Sequence, residues 1–222
     1  MFQKRLIMTN NFRSIAIDGP AASGKSVVGK KLSELINYEF LDTGIMYRAV
    51  TYVSKTESID PILVSNYFKE KIIEVIFDDK NNKIYYKKNE ITNSLFSDLV
   101  DTNVSEISKI IEVRKNLVIE QRKISESNSI VMVGRDIGTI VLPKSELKVY
   151  LDASIAVRAK RRSEELGLDS SDIEKKLKSR DITDSSRKNS PLRIDEDAHL
   201  INTDNLNIGQ VVMMIKDLIP ND

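Results

Sequence analysis

Eight consecutive residues, Gly19-Pro20-Ala21-Ala22-Ser23-Gly24-Lys25-Ser26, fit the pattern G-x-x-x-x-G-K-[ST] without a gap. Each part has a physical task. The glycines let backbone N–H groups turn inward on phosphate oxygens, and a helix starting at the loop's end adds its dipole. The Lys25 ammonium offers a point charge to β and γ phosphates, and the Ser26 hydroxyl can ligate Mg²⁺. Chance produces the pattern in about one chain in a hundred of this length. Here it also follows an apolar run, Ser14-Ile15-Ala16-Ile17-Asp18, and precedes helically spaced Val27, Val28, Leu32 and Leu35. That context makes it a nucleoside triphosphate site.

The loop alone is common to kinases, switches and motors. The guanine-reading N-K-x-D is absent, and no apolar run ends in Asp-Glu as a motor ATPase would require. What the chain does carry is arginine: Arg48, Arg114, Arg135, Arg158, Arg161, Arg162, Arg180 and Arg187, many beside Asp or small residues. Phosphoryl transfer between two nucleotides crowds negative charges together and needs fixed cations around the moving group. Arginine suits that work because its planar fork grips phosphate bidentately and stays ionised.

Composition removes most other chemistry. With no Cys, the chain has no disulfide, thiolate nucleophile or Cys-held metal, and its one His, His199, allows no His pair and reads as an ordinary residue near a strand. Lys and Arg number 34 against 33 Asp and Glu, so no global basic field exists for nucleic acid or an anionic membrane. Hydrophobic residues at 41% and charged residues at 30% are ordinary for a globular chain, and 222 residues suffice for one core with a small insertion. No apolar run approaches the roughly 20 residues that span a bilayer. Residues 1–13 lack a signal peptide's apolar stretch. The expectation is a soluble, cytoplasmic monomer.

These residues need elements to hold them. Strands are predicted at 14–18, 40–41, 130–133, 147–151 and 200–201, with a helix over 24–36 and a closing helix capped by Asn207 and stopped by Pro220. A strand, crossover helix and strand within about thirty residues predict a parallel sheet. Residues 72–77 and 83–87 alternate like antiparallel strands around a turn at 78–82, which predicts an inserted small sheet. A long helix is predicted over 105–123, and charge-rich helices over 153–187, the second opened by a capping box at Ser171-Asp172-Ile173-Glu174. The fold class is therefore α/β: a phosphate-loop parallel sheet flanked by helices, with a small antiparallel insertion and a helical lid.

Five blocks give this pattern a family. They are residues 15–21 entering the loop, Leu41-Asp42-Thr43-Gly44-Ile45-Met46-Tyr47-Arg48, Gly134-Arg135-Asp136-Ile137-Gly138-Thr139, Leu151-Asp152-Ala153-Ser154, and Arg180-Asp181-Ile182-Thr183-Asp184-Ser185-Ser186-Arg187. In them the chain resembles the bacterial cytidylate kinases, which move the ATP γ-phosphoryl group to CMP or dCMP. The resemblance implies ATP and Mg²⁺ at the loop and CMP or dCMP as acceptor. It implies Arg48, Arg135 and Arg187, with Thr43, at the acceptor phosphate. Ser105, Arg114 and Asp136 would read the cytosine edge, Arg180 and Asp184 the ribose, and Arg158 and Arg162 would close over the ATP phosphates, where Lys25 stabilises developing charge. It implies a core (13–53, 106–152, 198–222), an acceptor-binding insertion (54–105) and a lid (153–190). Two positions depart from the family: Val133 stands where an Asp is common, and Phe96 where Arg is usual. A kinase for UMP or AMP and a non-enzymatic ATP-binding regulator are the alternative readings.

Overall fold

The computed structural model describes residues 12–79, 81–167, 169–187 and 189–220, the side chains of 166 and 170 excepted. Its central sheet is built from β1 (Ser14–Asp18), β2 (Glu39–Asp42), β6 (Ile130–Val133), β7 (Leu147–Asp152) and β8 (His199–Asn202). The strands are all parallel and run in the order β2-β6-β1-β7-β8. Because successive side chains point to opposite faces, each strand feeds two cores. Ile15 and Ile17 join Val131, Val133, Val149 and Leu151 against the face covered by α1 (Lys25–Ile36) and α8 (Ile208–Leu218). Ala16, Leu41 and Met132 face the other core, which takes in α2 (Gly44–Glu57), α3 (Pro61–Asn66), α4 (Asp98–Ile107) and α5 (Ile111–Glu126). A sheet covered on both faces needs apolar residues at nearly every strand position, as β6 (IVMV) shows. Asn207 caps α8 in a full capping box with Gln210, as its sequence indicates.

The inserted antiparallel sheet has the order β3 (Ile73–Asp78), β4 (Asn81–Tyr86), β5 (Asn89–Glu90). Asn82, expected within a turn, belongs to β4 and docks that sheet on the core: its amide donates to Phe40 O (2.6 Å) and accepts from Asp42 N (2.8 Å). The turn residue at position 80 lies outside the described residues.

The single helix expected over 105–123 is two. It breaks after α4 because Ser108 turns its hydroxyl onto the Ser105 carbonyl, and Ile110 adopts an extended backbone before α5 begins. Helices α2 and α3 carry no sequence expectation here, and α2 runs past residue 54 to Glu57. The charged segment forms α6 (Ile155–Leu166) and α7 (Ser170–Ser185). The capping box expected at 171–174 is not the cap of α7. Asp169 does that work, accepting from Ser171 N, since the chain has already reversed at Gly167 with φ 66°. Ala21, Ala159, Ile173 and Leu177 form a small buried apolar cluster, with Ala22 and Ile155 packed against it, that ties α6 and α7 to the phosphate loop. Among the described residues no helix is long and apolar enough to cross a membrane. His199 opens β8 with its side chain exposed.

Candidate active site

The C-terminal ends of β1, β2 and β6 meet at one rim of the sheet, where open α/β folds place ligands. A cavity of about 860 Å³ opens there, bounded by the phosphate loop, the start of α2, the segment after β6, and α6 and α7.

The loop is fixed by sterics. Gly19 adopts φ 149°, and a Cβ there would lie 2.1 Å from Leu151 O, so no other residue fits. Ala22 takes φ 60°, a strained conformation that surrounding structure must hold in place. Lys25 is buried, and its Nζ donates to Pro20 O at 2.6 Å and to Ser23 Oγ at 3.3 Å. Burial drives its ammonium well below the usual lysine range, and Arg135 pushes the same way, while Asp42 and Asp18 oppose them. It makes no ion pair among the described residues. A triphosphate would supply the missing countercharge. Beside it, the Ser26 hydroxyl donates to Asp42 Oδ2 at 2.5 Å.

The opposite end holds arginines already matched with carboxylates. Asp184, 1% exposed, accepts from Arg135 Nε at 2.9 Å and from Arg187. Burial alone would raise its pKa, but Arg135, Arg187 and Arg180 together hold it below the ordinary carboxylate range. Arg48 donates to Leu95 O (2.8 Å) and Asp101 (2.7 Å), with its guanidinium over the Phe96 ring at 5.2 Å. Arg114 and Asp136, both buried, pair at 2.6 Å, and Arg114 also lies over Tyr47. Arg180 lines the cavity without a hydrogen bond or ion pair among the described residues, and burial with Arg135 nearby lowers its pKa to about 10.

Most residues singled out from sequence therefore converge here, with two differences in placement. Ser105 sits on α4 away from the cavity lining, whereas Ser108 lines it, its carbonyl accepting from Arg114 and its hydroxyl oxygen from Arg187. Arg158 lies behind the lining, bonded to Ala153 O, Ala21 O and Asp181, so it fastens α6 and α7 to the loop. Arg162 does line the cavity, as does Arg161, which Thr203 holds in place. Thr43 lines it too, its hydroxyl donating to Val133 O. Sequence reasoning attached no role to Asp42, although it stands one residue before Thr43. Its contact with Ser26 arises from the adjacency of β2 and α1, which spacing does not display. Asp18 accepts from Ile137 N and Gly138 N at 2.8 Å each, anchoring the π-helical turn Ile137–Val141, and burial first of all raises its pKa to about 6.

Comparison with known proteins bears on this geometry. The family model described as cytidylate kinase matches residues 15–221. A cytidylate kinase of Exiguobacterium sibiricum is 41% identical over 213 residues, covering 92% of this chain and 95% of that protein. One of Caldanaerobacter subterraneus is 40% identical over 221 residues, covering 96% of each. Among solved structures, an uncharacterized protein from Eubacterium ventriosum matches with a TM-score of 0.55 at 17% identity, over 93% of this chain and 97% of that one. A gluconokinase from Sinorhizobium meliloti reaches 0.50 at 15% identity over 93% of each chain. At such identities these two speak to the fold alone.

Proposed function

The chain belongs to the cytidylate kinase family, and from that membership we infer that it transfers the γ-phosphoryl group of ATP to CMP or dCMP. The products are ADP and CDP or dCDP. The observation that carries the reading is one cavity with a phosphate loop at one end and, at the other, Arg48, Arg135 and Arg187 around a buried Arg114–Asp136 pair.

ATP occupies the Gly19–Ser26 loop, with Lys25 on its β and γ phosphates. The acceptor phosphate sits among Arg48, Arg135 and Arg187 near Thr43. Its oxygen forms a bond to Pγ in line with the breaking bond between Pγ and the β–γ bridging oxygen, which leaves on ADP. No general base is required, because the acceptor phosphate is already an anion at pH 7. Catalysis is positioning and charge stabilisation. Arg114 and Asp136 read the cytosine edge, with Ser105 or its cavity-lining neighbour Ser108. Asp184 and Arg180 serve the ribose. The insertion (54–105) holds the acceptor, and α6 and α7 form a lid that excludes water, bringing Arg162 over the donor with Arg158 behind it.

The donor residues also suit Mg²⁺. Among the described residues no group of three or more His, Cys, Asp or Glu could cage a metal. A hydroxyl beside a carboxylate, completed by nucleotide phosphates and waters, is what Mg²⁺ favours over an all-protein cage. Ser26 would hold it, and it would neutralise charge on the β and γ phosphates.

The test is ADP release with a panel of CMP, dCMP, UMP and AMP, with and without Mg²⁺. Turnover with CMP or dCMP well above the others is expected. Preference for UMP or AMP, or ATP binding with no acceptor-stimulated turnover, would overturn the reading.

A further inference from the structure

Mg²⁺ at a phosphate loop gives up few of its waters, and its ligands are steadied by acceptors beside them. Val133, at the end of β6, is buried in the α1-side core and its side chain offers no acceptor. Three carboxylates lie close by: Asp18, Asp136 and Asp42. Asp18 spends both oxygens on Ile137 N and Gly138 N. Asp136 is paired with Arg114 at 2.6 Å. Asp42 alone reaches the loop: Oδ2 accepts from the Ser26 hydroxyl at 2.5 Å, and Oδ1 is fixed by Gly44 N at 3.0 Å. The strand register places Asp42 directly opposite Val133 on the neighbouring strand.

We propose that Asp42 is the positioning residue for Mg²⁺ at the donor site, acting through Ser26 from the strand beside Val133. The inference rests on the ATP·Mg²⁺ reading of the loop. By accepting the Ser26 proton, the carboxylate turns the hydroxyl lone pairs outward to the ion. The bond from Gly44 N keeps the carboxylate from swinging away.

Asp42→Asn is nearly isosteric and keeps an acceptor for Gly44 N, so it removes the charge and spares the turn. The measurement is ATP affinity without acceptor, by displacement of a fluorescent ATP analogue, in Mg²⁺ and again in EDTA. In the wild type the ratio should favour Mg²⁺. In Asp42→Asn it should fall about tenfold or more, the range typical of residues that support a metal ligand, while affinity in EDTA stays within about twofold, since without the ion the carboxylate's support of the Lys25 charge and its repulsion of the phosphates oppose each other. Ser26→Ala should lose a similar factor, and adding Asp42→Asn to it should cost nothing further. A ratio unchanged in Asp42→Asn, or an added loss in the Ser26→Ala background, would overturn the proposal and leave Asp42 as a turn residue. Absence of any Mg²⁺ preference in the wild type would instead overturn the ATP·Mg²⁺ reading beneath it.

Discussion

The two ends of the cavity solve the problem of buried charge in opposite ways. At the acceptor end, Arg114 is matched by Asp136, Arg48 by Asp101, and Arg135 and Arg187 by the single carboxylate of Asp184. At the donor end, the Lys25 ammonium is buried against neutral oxygens, with its pKa driven down. If the cavity works as proposed, the acceptor end is organised before substrate arrives and the donor end is completed by its ligand. The difference predicts that acceptor-end changes cost stability, whereas donor-end changes cost turnover.

Lys25→Ala gives the largest effect. It should lower kcat about a thousandfold or more, some 4 kcal/mol of lost charge stabilisation, and leave CMP affinity nearly intact. Because the buried ammonium makes no ion pair among the described residues and its burial outweighs the distant carboxylates, thermal stability should hold or rise. A fall in the melting midpoint would break the contrast between the two ends.

Asp184→Ala strikes the other side. It leaves Arg135 and Arg187 facing each other without their carboxylate, at a cost of about 3 kcal/mol in urea unfolding. CMP and dCMP should both bind more weakly, and the excess loss for CMP measures any contact with the 2′-hydroxyl. Equal losses would confine Asp184 to holding arginines.

Asp18 sharpens the donor-end picture through pH. Its carboxyl titrates near 6 in the folded chain, against 3.8 ordinarily. Between those values the folded state keeps a proton that the unfolded state has lost, so raising the pH favours unfolding. Its contribution to stability is fully present below the ordinary value and falls, on the order of 2–3 kcal/mol, as pH rises through 6. Urea midpoints at pH 4 and 6.5 should show a smaller decline in Asp18→Asn than in the wild type, and a carboxyl carbon NMR titration should place the midpoint near 6.

At the base, Asp136→Asn replaces an acceptor with a group that can also donate. The ratio of kcat/KM for CMP over UMP should fall roughly tenfold, since one mispaired buried polar group costs about 1–3 kcal/mol. A constant ratio would assign Asp136 to orienting Arg114. The smallest effect belongs to Phe96→Ala: losing the ring under Arg48 should raise the CMP KM a few-fold, consistent with about 0.5–1 kcal/mol for an exposed cation–π contact, with kcat unchanged.

The phosphate loop and the parallel strands were legible because their signals are local: eight contiguous residues in one case, short β-branched runs in the other. The clustering of arginines was legible in kind, but not in partner. Nothing in the spacing tells that Asp184 would serve two of them, or that Arg158 would turn inward onto Ala21 O. Ser108 rather than Ser105 lines the cavity because its hydroxyl bonds back onto the helix and breaks it, a choice decided by local geometry and invisible to periodicity. Asp42 was hidden for another reason: its contact crosses from a strand to a helix sixteen positions earlier in the chain.

Asn82 has a consequence beyond docking the insertion. Strand β2 is the outermost strand of the central sheet, and an open edge is a template onto which other chains can add. Its outward-facing Phe40 carbonyl and Asp42 N–H are the groups that the Asn82 amide occupies, much as a residue of a neighbouring strand would. One side chain thus occupies both of these edge groups on the strand that also carries Asp42. A chain in which the insertion peels away would uncover that edge and become adhesive, and Asn82→Ala should show this first as aggregation on heating, ahead of any loss in the folded protein's turnover.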